Sequence, residues 1–240
     1  MVGTQNFVSL PWANCIRGIK ITAKYAIHKR QKKLLVTISV HGYSPLPSMI
    51  SLPPLTVFDL ETTGLDPKKG HRILEIAGVR IEDGVITDKT FVSLVNPERD
   101  IPWEAKQVHK IDESDVADAS TIDAVLPQFL EFAAGSTLIA HNAAFDYGFL
   151  TCEKDFCWGY IELPESLCSM RLSQSLYPHE FRHSLDVLTR KFNLQMPEDR
   201  HRALSDCYLA ADAILKMIEQ GPVKSFEELR KRAGLKQLVS

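Results

Sequence analysis

The first 55 residues contain no aspartate or glutamate, yet they carry seven lysines and arginines, a formal +7. The other 185 residues hold 21 basic and 30 acidic side chains, a balance of −9. This asymmetry describes a basic arm on an acidic body. An acidic body repels a polyanion unless bound cations invert the local charge. No apolar run approaches the roughly 18–20 residues that span a bilayer, which excludes a membrane-spanning helix. The N-terminus lacks the charged, apolar and small-residue order of a secretory signal. Cysteine is sparse and odd in number: Cys15, Cys152, Cys157, Cys168 and Cys207. This pattern excludes a disulfide framework and reads as reduced thiols in a cytoplasmic protein. Cys152 and Cys157 have no second pair with which to build a zinc knuckle. Internal repeats are also lacking.

The remaining composition is ordinary for a globular chain, 45% hydrophobic and 24% charged over 240 residues. That length buries a full core and predicts one domain with extensions. Residues 1–54 read as a basic N-terminal extension and linker. Within them, 17–33 is compatible with a short basic helix and 34–40 with a strand, and the Pro/Ser-rich stretch 44–54 reads as a linker. Two readings of this leader stand: an arm for a phosphate backbone, or a poorly structured segment before a natural start at Met49.

Periodicity sharpens at Leu55. Residues 55–59 form a short apolar strand ending on a carboxylate. Two β-rich runs, 72–82 and 85–95, flank the hairpin turn signal Asp83-Gly84. Ile122, Val125, Leu126, Phe129 and Leu130 recur at helical spacing, and Gly135 closes that helix. A strand is expected at 136–140, with helices at 143–153, 167–176, 185–192 and 202–219. Ser225 and Glu228 form a capping-box pattern opening a short C-terminal helix within 222–240. A strand meander followed by mixed strands and helices predicts an α/β domain over 55–221, with a mixed β-sheet flanked by helices.

Three segments carry chemistry. In Phe58-Asp59-Leu60-Glu61-Thr62-Thr63-Gly64-Leu65, residues two apart on a strand point the same way, so Asp59 and Glu61 aim at one spot. Two carboxylates that close repel unless a cation sits between them. The Thr-Thr-Gly that follows offers hydroxyls and backbone amides suited to a phosphate or terminal nucleotide. The second segment, His141-Asn142-Ala143-Ala144-Phe145-Asp146, puts Asp146 in the first turns of a helix. The third, His201-Arg202-Ala203-Leu204-Ser205-Asp206, opens the long helix. Taken one by one, each has a plainer reading. Asp59 or Glu61 could face solvent at a strand end, Asp146 could cap a helix, His201 could sit in a surface loop and Asp206 could lie exposed.

Together, in this order and spacing, the segments resemble the three motifs of the DEDDh exonuclease superfamily over residues 55–220. The similarity is to the proofreading exonucleases of the bacterial DNA polymerase III epsilon type. The resemblance implies a ribonuclease H-like fold and 3′–5′ exonuclease chemistry with two divalent ions, Mg²⁺ or Mn²⁺. Asp59, Glu61, Asp146 and Asp206 would be the ligands, and oxygen donors suit such hard cations. His201 would be the general base, a role suited to a side chain that titrates near neutrality. Thr62, Thr63 and Leu65 would hold the 3′-terminal sugar and wedge its base, and His109 would contact a substrate phosphate. Lys110 stands where the family often has glycine. Asn142 would support the site. Phe145 either packs beside the terminal nucleotide or belongs to the core. The Leu-Glu-Thr-Thr-Gly form matches the DNA-directed branch, so single-stranded or frayed DNA 3′ ends are the expected partner. RNA remains an alternative substrate, and a polymerase subunit an alternative protein partner. The rival readings are a mononucleotide phosphoesterase and a catalytically silent binding module, and intact carboxylates argue against the latter.

Overall fold

The computed structural model describes residues 20–28, 33–41, 50–197 and 201–235. The chain forms two units, 1–49 and 50–240. In the first, strand β1 (Lys20–His28) pairs antiparallel with β2 (Lys33–His41). The helix expected over 17–33 is therefore corrected to a strand across 20–28. The reason is legible in the residues: Ile21, Ala23, Tyr25 and Ile27 alternate with polar or small neighbours, a period of two rather than 3.6. The register places these four opposite Val40, Ile38, Val36 and Leu34.

The second unit is built on a five-stranded sheet of order β5-β4-β3-β6-β7. Strand β3 (Leu55–Thr62) is central, and β4 (Ile73–Glu82) and β5 (Val85–Leu94) extend it as an antiparallel meander. Asp83 and Gly84 turn between β4 and β5 with φ of 51° and 74°. Two positive φ values in succession are what a two-residue hairpin with right-handed strand twist requires. On the other side, β6 (Thr137–Ala140) and β7 (Ser166–Cys168) run parallel to β3. The expected helix over 167–176 is thus corrected. Its first residues complete the sheet, and helix α5 begins only at Ser169.

The helices in chain order are α1 (Trp103–His109), α2 (Glu113–Val116), α3 (Ile122–Ala133), α4 (Ala143–Cys157), α5 (Ser169–Leu176), α6 (Leu185–Lys191), α7 (Ala203–Gln220) and α8 (Phe226–Ala233). They cover both faces of the sheet, so β3 is buried along nearly its whole length. Alternate residues of β3 serve different faces. Leu55 and Val57 pack in the cluster that holds Ala210, Ile214 and Met217 of α7. Phe58 and Leu60 pack in the cluster that holds Val125 and Phe129 of α3 and Phe149 of α4. Helix α8 joins the α7-side core through Leu229 and Ala233. Ser225 Oγ accepts from the Glu228 amide at 3.1 Å, and Glu228 accepts from the Lys224 amide at 2.9 Å. Buried Arg80 donates to the carbonyls of Phe132 and Ala134, closing the C-terminal end of α3 where the helix dipole favours a cation.

Candidate active site

The row of β3 that faces α7 runs Leu55, Val57, Asp59, Glu61. Its first two members are core, and its last two reach the strand end as carboxylates. Helix α7 repeats the pattern: its buried stripe of Ala210, Ala213, Ile214 and Met217 begins, one turn earlier, with buried Asp206. Both apolar stripes therefore terminate in acids at the same end of the sheet. Carboxylate oxygens of Asp59, Glu61 and Asp206 lie within 4.8 Å of one another. Asp146, buried in the opening turns of α4, adds its charge to the surroundings of Glu61. Asp146 and Asp206 are thus neither an exposed cap nor an exposed helix acid.

Crowding has an electrostatic consequence. The Glu61 carboxyl, 9% exposed, is pushed up to about 9. Burial is the largest cause, followed by the charges of Asp206, Glu75 and Asp146, while Arg202 acts in the opposite direction. Asp146 is pushed up to about 7 by burial, against backbone hydrogen bonds from its own amide and Leu60. Glu61 and Asp146, two buried acids that resist ionisation, form a poor apolar core and, with Asp59 and Asp206, a good cradle for hard cations, whose charge removes the repulsion. The oxygen-only donor set fits divalent ions of the Mg²⁺ or Mn²⁺ type.

The sequence did not point to Glu75. It lies directly across the ladder from Glu61, buried, and its carboxylate accepts from Arg202 Nε at 3.2 Å, Arg202 Nη2 at 2.5 Å and the Ala203 amide at 3.0 Å. The available signal was a lone acid inside the apolar run Ile73-Leu74-Glu75-Ile76-Ala77. Glu153, also buried, is the second such residue. Two turns beyond Asp146 on α4, it accepts from Arg72 Nε at 2.8 Å and from the Ile73 amide at 3.4 Å.

That pair pins the loop after β3. Thr63 is buried: its amide donates to the Arg72 carbonyl and its hydroxyl accepts from the Arg72 amide, both at 2.9 Å. Thr62 Oγ1 donates to the Gly64 carbonyl at 2.7 Å. The two threonine hydroxyls thus shape the loop. Gly64 lets the His71 ring close over it, since a Cβ there would stand 2.5 Å from the ring. The loop presents Leu65 to solvent, 83% exposed. A cleft of about 590 Å³ beside this loop is lined by His71, Arg72, Arg99, Glu153 and Phe156, and by none of the four site aspartates and glutamates.

His201 precedes α7 with φ of 68° and is exposed, outside the group of three clustered carboxylates. His109 ends α1 and is buried. Its Nδ1 accepts from the Ile111 amide at 3.0 Å, so the neutral ring carries its proton on Nε2, which is buried and faces the Thr62 backbone. Burial holds its pKa below the usual value, with Glu75 pulling the other way. Lys110 takes the left-handed conformation, φ 60°, that closes α1, and its ammonium donates to the Gln107 carbonyl. Asn142 starts α4, also left-handed at φ 61°, and is exposed. Phe145 is half-buried and packs on Phe149 with ring centroids 5.0 Å apart. Cys207 is fully buried beside Ala77, Val79 and Ala203, and burial raises its thiol pKa well above the usual value.

A mixed sheet of this strand order, with four acids gathered where its central strand, α4 and α7 converge, defines a DEDDh-type exonuclease. The comparisons agree: the RNase_T family, described as "Exonuclease", matches residues 56–214, and the chain belongs to it. It is 37% identical over 166 residues to the DNA polymerase III subunit epsilon of Rickettsia typhi, covering 67% of this chain and 72% of that protein. It is 39% identical over 164 residues to a DNA polymerase III PolC-type of Caldanaerobacter subterraneus, covering 68% of this chain but 11% of that one. Among solved structures, Exonuclease X in complex with 5′ overhanging duplex DNA superposes with a TM-score of 0.62 at 30% identity, over 75% of this chain and 99% of that one. The nuclease domain of 3′hExo, a DEDDh family member bound to rAMP, shares the fold at 18% identity and a TM-score of 0.62.

Proposed function

We propose that the protein hydrolyses the terminal phosphodiester bond at the 3′ end of single-stranded or frayed DNA, releasing nucleoside monophosphates one at a time. The observation that carries this reading is the convergence of Asp59, Glu61 and Asp206 oxygens within 4.8 Å, with buried Asp146 beside them. These four residues would hold two divalent ions. When bound, such ions neutralise charge at the scissile phosphate and lower the pKa of water. Exposed His201 takes a proton from the attacking water and passes it to solvent. The new bond joins the water oxygen to phosphorus. The P–O3′ bond breaks and the departing O3′ takes up a proton from solvent, leaving a 5′-monophosphate and a strand shorter by one nucleotide with a free 3′ hydroxyl.

The loop held by Thr62 and Thr63 offers Leu65 as a wedge against the terminal base. The Nε2–H of His109 is a donor suited to a phosphate oxygen. Asn142 and Phe145 precede Asp146 at the start of α4 and would contact the terminal nucleotide there. Nothing in this set reads base identity, so selectivity follows the cost of melting the end. The polymerase names of the relatives support DNA as substrate. The test is a rate comparison on 5′-labelled single-stranded DNA, matched RNA, mismatched-end duplex and blunt duplex. Faster shortening of single-stranded and mismatched DNA is expected, and RNA degraded faster than DNA would overturn the substrate assignment.

A further inference from the structure

Helix α7 has no side-chain cap of its own at its N-terminus. The cap comes from a neighbouring strand. Glu75 Oε2 on β4 accepts from the Ala203 amide, the first residue of α7, at 3.0 Å. The same carboxylate grips the guanidinium of Arg202, the residue before the helix, through Nε and Nη2. Three donors thus converge on one buried acid. Arg202 in turn accepts, through its carbonyl, from the amide of Asp206 at 3.2 Å. On its other side stands His201, in the left-handed conformation. The carboxylate on β4 therefore fixes the one turn of chain that carries both the candidate base and one candidate metal ligand.

We infer that Glu75 and Arg202 form a positioning pair that sets His201 and Asp206 over the carboxylate site. The inference rests on the exonuclease reading above. The body of α7 has its own anchor in Ala210, Ala213, Ile214 and Met217, all in the core. The pair is not needed to dock the helix, so its effect is confined to the first turn. A bidentate guanidinium–carboxylate contact fixes direction as well as distance, which an ammonium on a flexible stem does not. The charge balance fits the same role. Glu75 lies across the ladder from Glu61 and adds to the repulsion there, while Arg202 opposes it. The Arg202 side chain is 43% exposed at the rim of the site, while Glu75 is buried beneath it at 2%.

Arg202→Met, Arg202→Lys, Glu75→Gln and the Arg202→Met/Glu75→Gln double variant test the inference. Thermal midpoints are recorded first, and kcat and KM are then measured on single-stranded DNA at saturating Mn²⁺, well below those midpoints. Supporting residues of this kind typically contribute about 10–100-fold to activity. We expect kcat to fall by about that much in Arg202→Met and in Glu75→Gln, with KM little changed. The double variant should be no slower than the worse single one, because the two residues act as one unit. Arg202→Lys should fall between wild type and Arg202→Met, and it serves in its place if Arg202→Met does not fold. A kcat within about twofold of wild type in Arg202→Lys and Glu75→Gln, whatever the midpoints do, would make the pair purely structural and overturn the inference. Losses that multiply in the double variant would overturn it as well. Wild type inactive on every strand would remove the exonuclease reading and this inference together. Active wild type with unimpaired variants removes this inference alone.

Discussion

Replacing Glu61 by glutamine should stabilise the metal-free protein at neutral pH while destroying the metal site. The glutamine keeps the volume and removes the ionisation. In the folded metal-free protein the Glu61 carboxyl is pushed up to about 9 from an ordinary 4.5, by burial and then by Asp206, Glu75 and Asp146. A folded-state pKa above the unfolded one contributes stability that is complete below 4.5 and is lost as pH rises through about 9. Within that window one proton is at stake, and the slope is about 1.4 kcal/mol per pH unit. Between about pH 5.5 and 7.5 wild type should therefore lose on the order of 3 kcal/mol relative to Glu61→Gln, or roughly 5–10 °C in thermal midpoint. The assay is thermal unfolding of both proteins in EDTA across this range, read as the difference between them, so that His109 and other groups cancel. Mg²⁺ or Mn²⁺ should then invert the order, raising the wild-type midpoint and leaving that of Glu61→Gln nearly unchanged. A wild-type minus Glu61→Gln difference that stays flat with pH, or equal stabilisation of both proteins by metal, would refute the reasoning.

His201→Ala should lower kcat by about 10²–10⁴-fold while metal still raises the thermal midpoint, because the base is removed and the ligands are not. Steady-state kinetics beside a melting curve with and without Mn²⁺ checks this. Gly64→Ala should displace His71, since the new Cβ would stand 2.5 Å from its ring, and so loosen the loop that carries Leu65. A rise in KM for single-stranded DNA with the carboxylates intact is the expected reading. Lys110→Gly should raise stability by about 0.5–1 kcal/mol in denaturant unfolding, because Lys110 holds a φ of 60° that glycine adopts without strain.

Much of the α/β domain was legible because its strands are short apolar or β-rich runs bounded by turn residues and its helices are apolar on a period of 3.6. The hairpin at Asp83-Gly84 and the long helix ending at Gly221 declared themselves by turn and breaker residues. Two kinds of element were not legible. Short pieces such as α1, α2 and β7 carry too few residues for a period to show. Leu167-Cys168 takes its strand conformation from pairing with Ile139 and Ala140, a tertiary fact. In the site, the acids of the motifs were readable because three motifs occur together in one order and spacing, whereas each acid alone is an ordinary strand-end or helix-start residue. Glu75 and Glu153 were not, because their roles depend on partners far away in sequence, Arg202 for the one and Arg72 for the other. The threonine hydroxyls were read as open to substrate, whereas the structure turns them onto Gly64 and Arg72. Only the fold of the loop reveals that choice.

The central claim is that these carboxylates run metal-dependent removal of 3′-terminal nucleotides. The direct measurement is a time course on 5′-labelled single-stranded DNA with Mg²⁺ or Mn²⁺, with EDTA, and with Asp59→Ala in place of wild type. The account predicts a ladder shortening from the 3′ end that EDTA stops and Asp59→Ala never shows. No ladder with either metal, or one that persists in EDTA or in Asp59→Ala, would contradict it.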